Sequence, residues 1–453
     1  MFHTVVRMIC CLAVSSGATL SVRAPKAPER TPAEFEPVQA VLLQWRPGPS
    51  NGLYAFLVEH VLLAGATPVV VVLDRSQQAE INEYMRRHGI ATKDVDFVVQ
   101  RTDSAWVRDY SAIPFYEDSR TPLAFADFLY QPEARPRDDL APLELCSDFR
   151  APVYRARRSS DSLLLEGGDF LTDGYGTVFT SVTVAEANGG TEQVAERLSQ
   201  FLAVDQVHFM PHLSTAPPTH IDMHLKLLDE ETLLLGAFAG GGRDAGLRAT
   251  EEYLAGLRTC YGGPYRVVRV PFFVIHNRRR KPVLCTYTNA LIVNNYVLVP
   301  LYGARTDQQA LLTYELAMPG YHVAGYDCSH SIRAGGAIHC MTREIPAERV
   351  VCIAHPRFTR SYCEGETIVF QAACWAHERV DRVTLHIGYP DGLGSEIHEM
   401  TAVDGVYRAD VVARAPGELR YFIRAEAGDL VGYKPQNGYD SGYLSLYVVA
   451  GQV

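Results

Sequence analysis

The sequence predicts an α/β region over residues 38–356, followed by an all-β sandwich over residues 357–453. The first observation is that continuous apolar strands alternate with amphipathic helices along the first region. The second is a change after Arg357 to short alternating strands separated by turn residues. A length of 453 residues allows two or three domains, and 47% hydrophobic residues exclude intrinsic disorder and a small disulfide scaffold.

The N-terminal residues predict an export signal and a linker. Arg7 precedes an apolar stretch and then small residues, which is the pattern of a secretory signal peptide over residues 1–23. Prolines among charged residues follow, so residues 24–37 are predicted to form an extended linker. We therefore expect an exported protein, periplasmic or extracellular, with a cytoplasmic location as the alternative.

The elements of the α/β region follow in order along the chain. Continuous apolar or β-branched runs predict strands at residues 39–45, 68–74, 95–100, 225–238, 265–272 and 350–354. Helical patterns are predicted at residues 54–64, 77–88, 192–202, 250–257 and 308–318. After the strand at 350–354 the alternation stops.

The C-terminal region has a different character. Strands of period two are predicted at residues 367–374, 383–388, 406–412 and 419–425, separated by turn sequences that contain Gly or Pro. About 95 residues with this spacing indicate a sandwich of immunoglobulin-like size. No catalytic cluster is visible in it, so we expect an accessory role.

Charge and cysteine content exclude several classes of protein. A formal charge of −10, from 42 basic and 52 acidic residues, and the lack of a long basic run argue against a nucleic-acid partner. No apolar run reaches the ~20 residues of a membrane span. Outside the apolar N-terminal stretch eight cysteines are scattered without C-x-x-C pairs, which excludes zinc-finger and thioredoxin-type sites. In an exported protein Cys363 could pair with Cys374.

Two segments place an acidic residue where a core pattern would not. Residues 106–110 contain Asp109, which a purely structural interpretation pairs with Arg108 at the surface. Residues 163–169 form an apolar run that leads into Glu166 and two glycines. Glycines there allow close approach of the backbone, so Glu166 is predicted at the end of a strand; a hairpin turn would explain the glycines equally well, but not the position of Glu166.

Two further segments carry histidines and a cysteine. The side chains of His220, Asp222 and His224 alternate with apolar residues, so a strand would present all three on one face. Three ligand-type residues with this period could also share a metal ion. Residues 335–340 form a glycine-rich loop that ends at Cys340, and a cysteine presented in this way fits covalent catalysis.

Together these segments resemble a known family. The ordered motifs W-x-R-D, E-G-G-D, H-x-D, Y-T-N and G-G-x-I-H-C, over about residues 35–355, are similar to those of agmatine deiminases and bacterial, Porphyromonas-type peptidylarginine deiminases. These are guanidino-group-modifying enzymes of the pentein fold. The resemblance implies a five-bladed α/β propeller around a central site, followed here by a C-terminal immunoglobulin-like sandwich. It also implies hydrolysis of a guanidino group to a ureido group and ammonia, without a metal or organic cofactor.

The same resemblance implies a role for five residues. Cys340 is the nucleophile, which forms a covalent thiouronium intermediate. His220 protonates the departing ammonia and later deprotonates water, and Glu166 orients its imidazole. Asp109 and Asp222 grip the planar guanidinium by charge-assisted hydrogen bonds.

Four more residues are expected at or near the substrate. Asn289 binds the substrate or shapes the pocket, with a turn asparagine as the alternative. Trp106 lines the pocket beside the aliphatic stem of the substrate, or else packs in the core. Arg135 and Arg137 lie where the peptidylarginine branch carries arginines that hold a substrate carboxylate. The alternative is an exposed loop in which both arginines pair with neighbouring aspartates.

Several functions stay open from the sequence. The leading prediction is deimination of peptide- or protein-arginine to citrulline, and the alternative is an agmatine deiminase that forms N-carbamoylputrescine. Glu166 is the acidic residue expected of agmatine and arginine deiminases. A metallohydrolase using His220, Asp222 and His224 is a second class, and a non-catalytic binding protein is a third. The expected partner is a small guanidino compound or an arginine-containing peptide, and the oligomeric state is not predicted.

Overall fold

The computed structural model describes residues 20–21, 28–117, 123–131, 133–157, 162–211, 220–239, 245–277, 279–389, 394–436, 438 and 442–450. The predicted signal peptide lies outside these residues, apart from Leu20–Ser21, which pairs in parallel with Val153 and Tyr154. Within the described ranges, no helix is long and apolar enough to cross a membrane.

The strands before residue 350, numbered in chain order, are short and mostly buried. They are β1 (Leu20–Ser21), β2 (Val38–Gln44), β3 (Thr67–Val72), β4 (Asp96–Val99), β5 (Ile113–Phe115), β6 (Ala124–Asp127), β7 (Val153–Arg155), β8 (Leu171–Thr172), β9 (Thr177–Ser181), β10 (Gln206–Met210), β11 (Leu225–Leu227), β12 (Thr232–Phe238), β13 (Arg266–His276), β14 (Pro282–Thr286), β15 (Leu291–Val293), β16 (Tyr296–Leu301), β17 (His322–Asp327) and β18 (Thr342–Pro346).

Helices connect these strands. They are α1 (Asn51–Leu63), α2 (Arg75–Arg87), α3 (Val107–Tyr110), α4 (Pro136–Leu140), α5 (Pro142–Leu145), α6 (Val182–Ala187), α7 (Thr191–Leu202), α8 (Ala245–Gly256) and α9 (Asp307–Ala317). The α1 helix buries Leu53, Leu57, Val58 and Val61, whose spacing places them on one side of the helix. Asp74 directly precedes helix α2, and its side chain accepts a hydrogen bond from the backbone N–H of Gln77 in the first turn.

Within the described residues before 350, the strands form five sheets, and the chain visits them in turn. In spatial order they are β18-β2-β3-β4, β1-β7-β6-β5, β10-β9-β8, β11-β12-β13-β14 and β15-β16-β17. Strand β18 pairs antiparallel with β2, so the chain returns to the first sheet after leaving the fifth. The predicted α/β class is confirmed, and the five connections from one sheet to the next are the segments in which the candidate residues lie.

The periodic elements agree closely with the prediction. The strands expected at residues 39–45 and 68–74 are β2 and β3, and the helices expected at 192–202 and 308–318 are α7 and α9. Boundaries differ by one to three residues, because fraying and capping are not encoded in the apolar pattern. The helix expected at 250–257 begins earlier, at Ala245.

The segment predicted to be an extended linker is, in its described part, packed against the protein. Residues 30–36 pack into the protein, and Arg30 is only 7% exposed. The guanidinium of Arg30 forms an ion pair with Glu36 and lies over the rings of Tyr175 and Trp375, at 5.2 and 5.1 Å from their centroids. A proline-rich composition favours an extended backbone, but it does not reveal that this backbone is buried.

The C-terminal region contains strands without helices in its described residues, as predicted. They are β19 (Val351–Ala354), β20 (Tyr362–Cys363), β21 (Thr367–Ala376), β22 (Arg382–Gly388), β23 (Ser395–Glu399), β24 (Thr401–Val403), β25 (Val406–Val412), β26 (Gly417–Ala427), β27 (Leu430–Lys434) and β28 (Leu444–Val449). They form the sheets β19-β21-β25-β24 and β20-β28-β26-β22-β23, with β27 beside β26. Phe370, Leu385 and Ile423 belong to one buried cluster that both sheets share.

The boundary between the two regions was predicted too late. Strand β19 was expected to be the last strand of the α/β region, but it pairs antiparallel with β21, with Ile353 opposite Cys374. The C-terminal sheets therefore begin at Val351 instead of after residue 356. A short apolar run has the same pattern in either region, so its sheet partner could not be predicted.

Ion pairs join the two regions across a cleft of about 920 Å³ that none of the candidate residues lines. Lys434 on β27 donates to both carboxylate oxygens of Glu230 at 2.6 Å, and Arg357 pairs with Asp229.

The eight cysteines in the described part of the chain are free thiols. The pairing suggested for Cys363 and Cys374 is therefore absent: Cys363 is exposed on β20, whereas Cys374 is half-buried on β21.

Candidate active site

Five polar side chains come from the five connections between successive sheets. Asp109 lies on α3 between β4 and β5, Glu166 precedes β8, and Asp222 precedes β11. Asn289 lies between β14 and β15, and Cys340 lies in a 3₁₀ turn directly before β18. Contacts among these residues and their neighbours show that the connections meet at one place, so each sheet contributes to a single site.

Cys340 is the candidate nucleophile of this site and is only 2% exposed. Its Sγ accepts a hydrogen bond from Asn289 Nδ2 at 3.2 Å and lies 3.6 Å from Asp222 Oδ2. Burial, together with the negative charges of Asp222 and Asp109, raises the pKa of the Cys340 thiol well above its usual range. Without a positive charge beside it, this cysteine is held as a neutral thiol.

His220 and Glu166 form a close pair. The imidazole Nε2 lies 2.8 Å from Glu166 Oε2. Burial alone would lower the pKa of His220, but the carboxylates of Asp109, Glu166 and Asp169 outweigh it and raise the pKa well above its usual range. The hydrogen bond from His220 outweighs burial at Glu166 in turn and lowers the pKa of that carboxyl. His220 is therefore protonated near neutral pH and can act as an acid.

Asp109 lies on the other side of the imidazole. Its Oδ1 accepts a hydrogen bond from Gly168 N at 3.1 Å and lies 3.5 Å from His220 Nδ1, a contact that is electrostatic because the Nδ1 geometry is too poor for a hydrogen bond. Burial raises the pKa of Asp109 to about 7, with His220 opposing the shift and Glu166 adding to it. A cationic ligand beside Asp109 would favour its ionised form.

Asp222 has one oxygen tied to the protein and one without a partner. Its Oδ2 accepts from Asn289 Nδ2 at 2.9 Å and from His339 Nδ1 at 2.8 Å. Its Oδ1 is buried and has no hydrogen-bond partner among the described residues. Burial would raise the pKa of Asp222, but the hydrogen bond and charge of His339 outweigh it and lower the pKa. An ionised, buried oxygen without a donor fits a ligand rich in N–H groups.

Asn289 connects the residues around Cys340. Its Nδ2 contacts both Asp222 and Cys340, and its Oδ1 accepts from the backbone N–H of Ala337 at 3.2 Å. Asn289 lies in a bend just before β15, and its side chain is fully buried and engaged at both ends, so it shapes the site from within.

Behind Asp222 lies a group of buried charges that the sequence analysis did not single out. His339 Nε2 lies 2.5 Å from Glu34 Oε1, and Lys226 donates to Glu34 Oε2 at 2.5 Å. Arg108 donates to Glu344 at 2.8 and 2.5 Å and to Glu34 at 3.3 Å. Arg108 therefore does not pair with the adjacent Asp109, which is left to face the site.

Two glycines make room for the reactive groups. A Cβ on Gly168 would lie 2.7 Å from His220 Nδ1 and 2.8 Å from Asp109 Oδ1. A Cβ on Gly336 would lie 2.8 Å from the Trp106 ring and 2.9 Å from Cys340 Sγ. The half-buried Trp106 thus lies beside the loop that presents the thiol, in line with a place at the pocket.

The two arginines considered for a substrate carboxylate lie in different environments. Arg135 is half-buried, donates to the Tyr130 hydroxyl and lies close enough to Glu166 that its charge contributes to lowering the pKa of that carboxyl. Arg137 is exposed and faces Asp103, with 3.8 Å between the charged groups. The structure places Arg135 next to the site and Arg137 on the surface, and neither pairs with the aspartates that follow them.

The prediction that His220, Asp222 and His224 share one face of a strand is wrong. Residues 221–223 form a 3₁₀ turn, in which Ile221 N donates to Asp169 Oδ1 at 3.0 Å, so side chains two apart do not share a face. The metal set of His220, Asp222 and His224 is therefore not assembled. In the described chain the one group of three ligand-type atoms within 4.8 Å of one another is Asp109, Glu166 and His220.

Sequence reasoning also missed Glu34 and His339. His339 lies inside the G-G-x-I-H-C motif, next to Cys340, and that adjacency was the available signal. Glu34 lies in the segment taken for a linker, and no local pattern distinguishes it from a solvated glutamate.

Comparison with known proteins follows the same ordered segments. Residues 30–346 match the sequence model of a family described as Porphyromonas-type peptidyl-arginine deiminase. A candidate agmatine deiminase from Vibrio parahaemolyticus is 24% identical over 351 residues, which cover 70% of this chain and 96% of the relative.

Solved structures show the same fold. An agmatine deiminase of Enterococcus faecalis superposes with a TM-score of 0.63 at 20% identity, over 73% of this chain and 100% of that chain. A candidate arginine deiminase from Porphyromonas gingivalis gives 0.61 at 23% identity, over 70% of this chain and 98% of that chain. The mixed α/β fold of these deiminases is thus shared over the region that contains the site. Since the family match spans more than half of the chain and includes every candidate residue, this protein belongs to the Porphyromonas-type peptidyl-arginine deiminase family.

Proposed function

We propose that this protein hydrolyses the guanidino group of a small substrate to a ureido group and ammonia. The observation that carries the proposal is the position of Cys340 beside Asp222, whose Oδ1 is buried, ionised and without a donor. A guanidinium is planar and cationic and carries N–H groups on several sides, so Asp222 and Asp109 can hold both its charge and its plane. Its central carbon would then lie within reach of the thiol.

The bound cation prepares the nucleophile in this proposal. Burial and two carboxylates hold Cys340 as a thiol. A guanidinium between Asp109 and Asp222 offsets their charge and favours the thiolate. The same cation favours ionised Asp109, so substrate binding and activation of the thiol support each other.

The first chemical step forms a bond between Cys340 Sγ and the guanidino carbon. The tetrahedral adduct breaks a C–N bond as His220 donates a proton to the departing nitrogen, which leaves as ammonia. The product on the enzyme is a thiouronium cation, and His220 is then neutral. Glu166, 2.8 Å from Nε2, keeps the imidazole oriented in both forms.

Water completes the reaction. It attacks the thiouronium carbon and gives one proton to His220. Collapse of the adduct breaks the C–S bond, and the second proton of the water returns to the Cys340 sulfur, so the enzyme ends with a thiol and a protonated His220 as it began. The proton that the thiol loses when the substrate binds is taken up by the released ammonia, which leaves as ammonium. The net change consumes one water and yields a ureido compound.

Replacing the thiol tests the proposal. We expect Cys340→Ser to lose more than about a thousandfold in kcat, because a hydroxyl lacks the nucleophilicity of a thiolate, while substrate affinity stays within about threefold. The readouts are a colorimetric assay of ureido product and calorimetry of ligand binding. Cys260→Ser, which changes an exposed thiol, is the matched control and should keep full activity. Turnover within tenfold of the parent in Cys340→Ser would remove this residue from the mechanism.

Agmatine is the substrate that we propose, in place of the peptidyl-arginine favoured by the sequence. It is supported by the names of the relatives from Vibrio parahaemolyticus and Enterococcus faecalis, which match nearly their whole length. Such a substrate would make the product N-carbamoylputrescine. The peptidyl-arginine reaction, which gives citrulline, stays a second candidate because the half-buried Arg135 lies near Glu166, where a cation would favour a substrate carboxylate.

The two candidates respond differently to loss of Arg135. If agmatine is the substrate, we expect Arg135→Ala to leave its KM unchanged or lower it, because agmatine is cationic at its other end and carries no carboxylate. A C-terminal arginine peptide that uses Arg135 should instead lose about tenfold or more in kcat/KM. Arg137→Ala, at an exposed arginine paired with Asp103, is the control. A parent enzyme that prefers the peptide, and loses that preference only in Arg135→Ala, would overturn the assignment of agmatine.

A further inference from the structure

His339 lies between two carboxylates and is completely buried. Its Nδ1 is 2.8 Å from Asp222 Oδ2, and its Nε2 is 2.5 Å from Glu34 Oε1. The ring and Asp222 are 0% and 1% exposed, so water does not take over either contact. A neutral imidazole has one donor and one acceptor, whereas both contacts here need a donor. Only the ring with a proton on each nitrogen satisfies both carboxylates.

Glu34 is in turn enclosed by cations. Its Oε2 accepts from Lys226 Nζ at 2.5 Å, and its Oε1 lies 3.3 Å from Arg108 NH1. Arg108 also donates its Nε to the His339 carbonyl at 3.2 Å, which holds the backbone next to Cys340. Burial would raise the pKa of Glu34, but His339, Lys226 and Arg108 outweigh it and lower the pKa well below its usual range.

The remaining charges around this pair are also accounted for in the described chain. Glu344 pairs with Arg108, and Arg343 hydrogen-bonds to the Arg108 carbonyl at 2.8 Å. Near Asp222 the other titratable groups are Cys340, His220, Asp109 and Asp169, and the charge of Arg108 also acts on Asp222. The carboxylates of Glu34 and Glu344 therefore lie among the cations Arg108, Lys226 and Arg343. His339 connects Asp222 to this charged group.

We propose that His339 and Glu34 are positioning residues, which hold the Asp222 carboxylate by its Oδ2 so that Oδ1 is available to the substrate guanidinium. This inference rests on the proposed function, because it assigns Asp222 to substrate binding. His339 acts through Asp222 and does not touch the reacting atoms. Glu34 acts one contact further away, from a segment that precedes the first sheet.

Two substitutions at His339 separate its two contacts. The amide nitrogen of Asn lies as many bonds from Cα as Nδ1, and that of Gln as many as Nε2. His339→Asn therefore keeps a donor for Asp222, whereas His339→Gln keeps one for Glu34. We expect KM to stay within about threefold in His339→Asn and to rise about tenfold or more in His339→Gln, with smaller changes in kcat. Equal losses in both variants would overturn the proposal, since a purely structural role does not distinguish the two contacts.

Glu34 is tested against a matched residue in the same segment. Glu34→Gln should raise KM severalfold, whereas Glu36→Gln, which alters a buried ion pair with Arg30 two positions away, should leave KM unchanged even where it lowers Tm. A rise in KM that follows the fall in Tm in both variants would overturn the role of Glu34.

A spectroscopic measurement decides the pairing without substrate. In the full-length protein with ¹⁵N-labelled histidine, we expect the signals of both His339 nitrogens, assigned by their loss in His339→Asn, to respond to loss of the facing carboxylate: Nε2 in Glu34→Gln and Nδ1 in Asp222→Asn. His339 signals that move in neither variant would overturn the proposal. If the parent protein deiminates no guanidino compound, the proposed function fails, while these spectra still show whether His339 bridges the two carboxylates.

Discussion

Asp109 and Asp222 are carboxylates of the same buried site, yet their surroundings move their pKa values in opposite directions. Asp222 faces His339 and has a lowered pKa, whereas Asp109 is dominated by burial and has a pKa of about 7. One of these carboxyl groups is therefore ionised at neutral pH, and the other becomes ionised near neutral pH. The difference comes from single neighbours, which shows how far one buried side chain controls this site.

The pH dependence of kcat/KM should reveal Asp109. Below pH about 7 this carboxyl is protonated and neutral, and above it the carboxylate grips the cation, so kcat/KM should rise with pH through this value. The rise should approach about tenfold per pH unit on the acid side. His220 has a raised pKa and stays protonated there, so it adds no limb of its own in that range.

Asp109→Asn provides the comparison. This variant should have a lower kcat/KM and a shallower acid limb, since its amide does not titrate and only the Cys340 thiol still loses a proton on substrate binding. A parent profile that is flat through neutral pH would show that Asp109 is already ionised in the free enzyme, contrary to this prediction.

At the scale of single residues, the sequence predicted which side chains belong to the site better than it predicted which residues they contact. Cys340, His220, Glu166, Asp109, Asp222 and Asn289 were all singled out and the structure brings them together, while their roles rest on the resemblance. Glu34 could not be found, because its importance arises from Arg108, Lys226 and His339, which are distant in the chain. Arg137 was expected with Arg135 at the substrate, yet Arg135 directly precedes helix α4 and Arg137 lies in its first turn, so the two side chains have different surroundings.

At the scale of the structural elements, short 3₁₀ turns hold several of the polar side chains of the site. Glu166, Asp222 and Cys340 lie in or beside turns over residues 167–169, 221–223 and 339–341, each entering a strand. Such turns have no hydrophobic period long enough to detect, so residues 219–225 were mistaken for a strand. Longer elements such as α7 were predicted because several turns repeat the same apolar face.

The turn at residues 167–169 requires glycine at position 168, and this requirement can be tested. A Cβ at Gly168 would meet His220 Nδ1 and Asp109 Oδ1 at 2.7 and 2.8 Å, so Gly168→Ala must push them apart. We expect kcat/KM to fall by about ten- to a hundredfold, since misplacement of a catalytic group by an ångström has an effect of that order.

The control for this prediction is Gly256→Ala. That glycine ends helix α8 and has open space around its Cβ position, so activity should not change. Circular dichroism and Tm would show whether Gly168→Ala keeps its fold. Unchanged kinetics in Gly168→Ala would mean that the turn relaxes without cost to the site.

The whole molecule is organised by closure of the first sheet. Because β18 returns beside β2, the five sheet-to-sheet connections are brought to one site, and we propose that the sheets form the blades of the expected propeller. The sequence predicted the order of strands and helices but not this closure, which depends on pairing between residues about 300 positions apart. The C-terminal sheets are a second case, since their first strand lies before the predicted boundary.

Attachment of the C-terminal sheets to the first region should depend on the ion pair of Lys434 with Glu230. The Lys434 side chain is 14% exposed and that of Glu230 is 2% exposed, so removing the cation leaves a buried carboxylate with the Tyr261 hydroxyl as a donor but without its cationic partner. We expect Lys434→Met to lower the free energy of unfolding by about 3 kcal/mol, as is typical when a buried pair loses one member. Adding Glu230→Gln should recover part of that loss.

The control is Arg382→Met, at an ion pair whose side chains are 50% and 60% exposed; it should lower the free energy of unfolding by less than about 1 kcal/mol. The midpoint of urea unfolding measures all three variants, and equal small shifts for Lys434→Met and Arg382→Met would show that the interface does not depend on this pair. Deiminase activity below the unfolding transition should be unchanged in Lys434→Met, because the cleft contains none of the residues around Cys340.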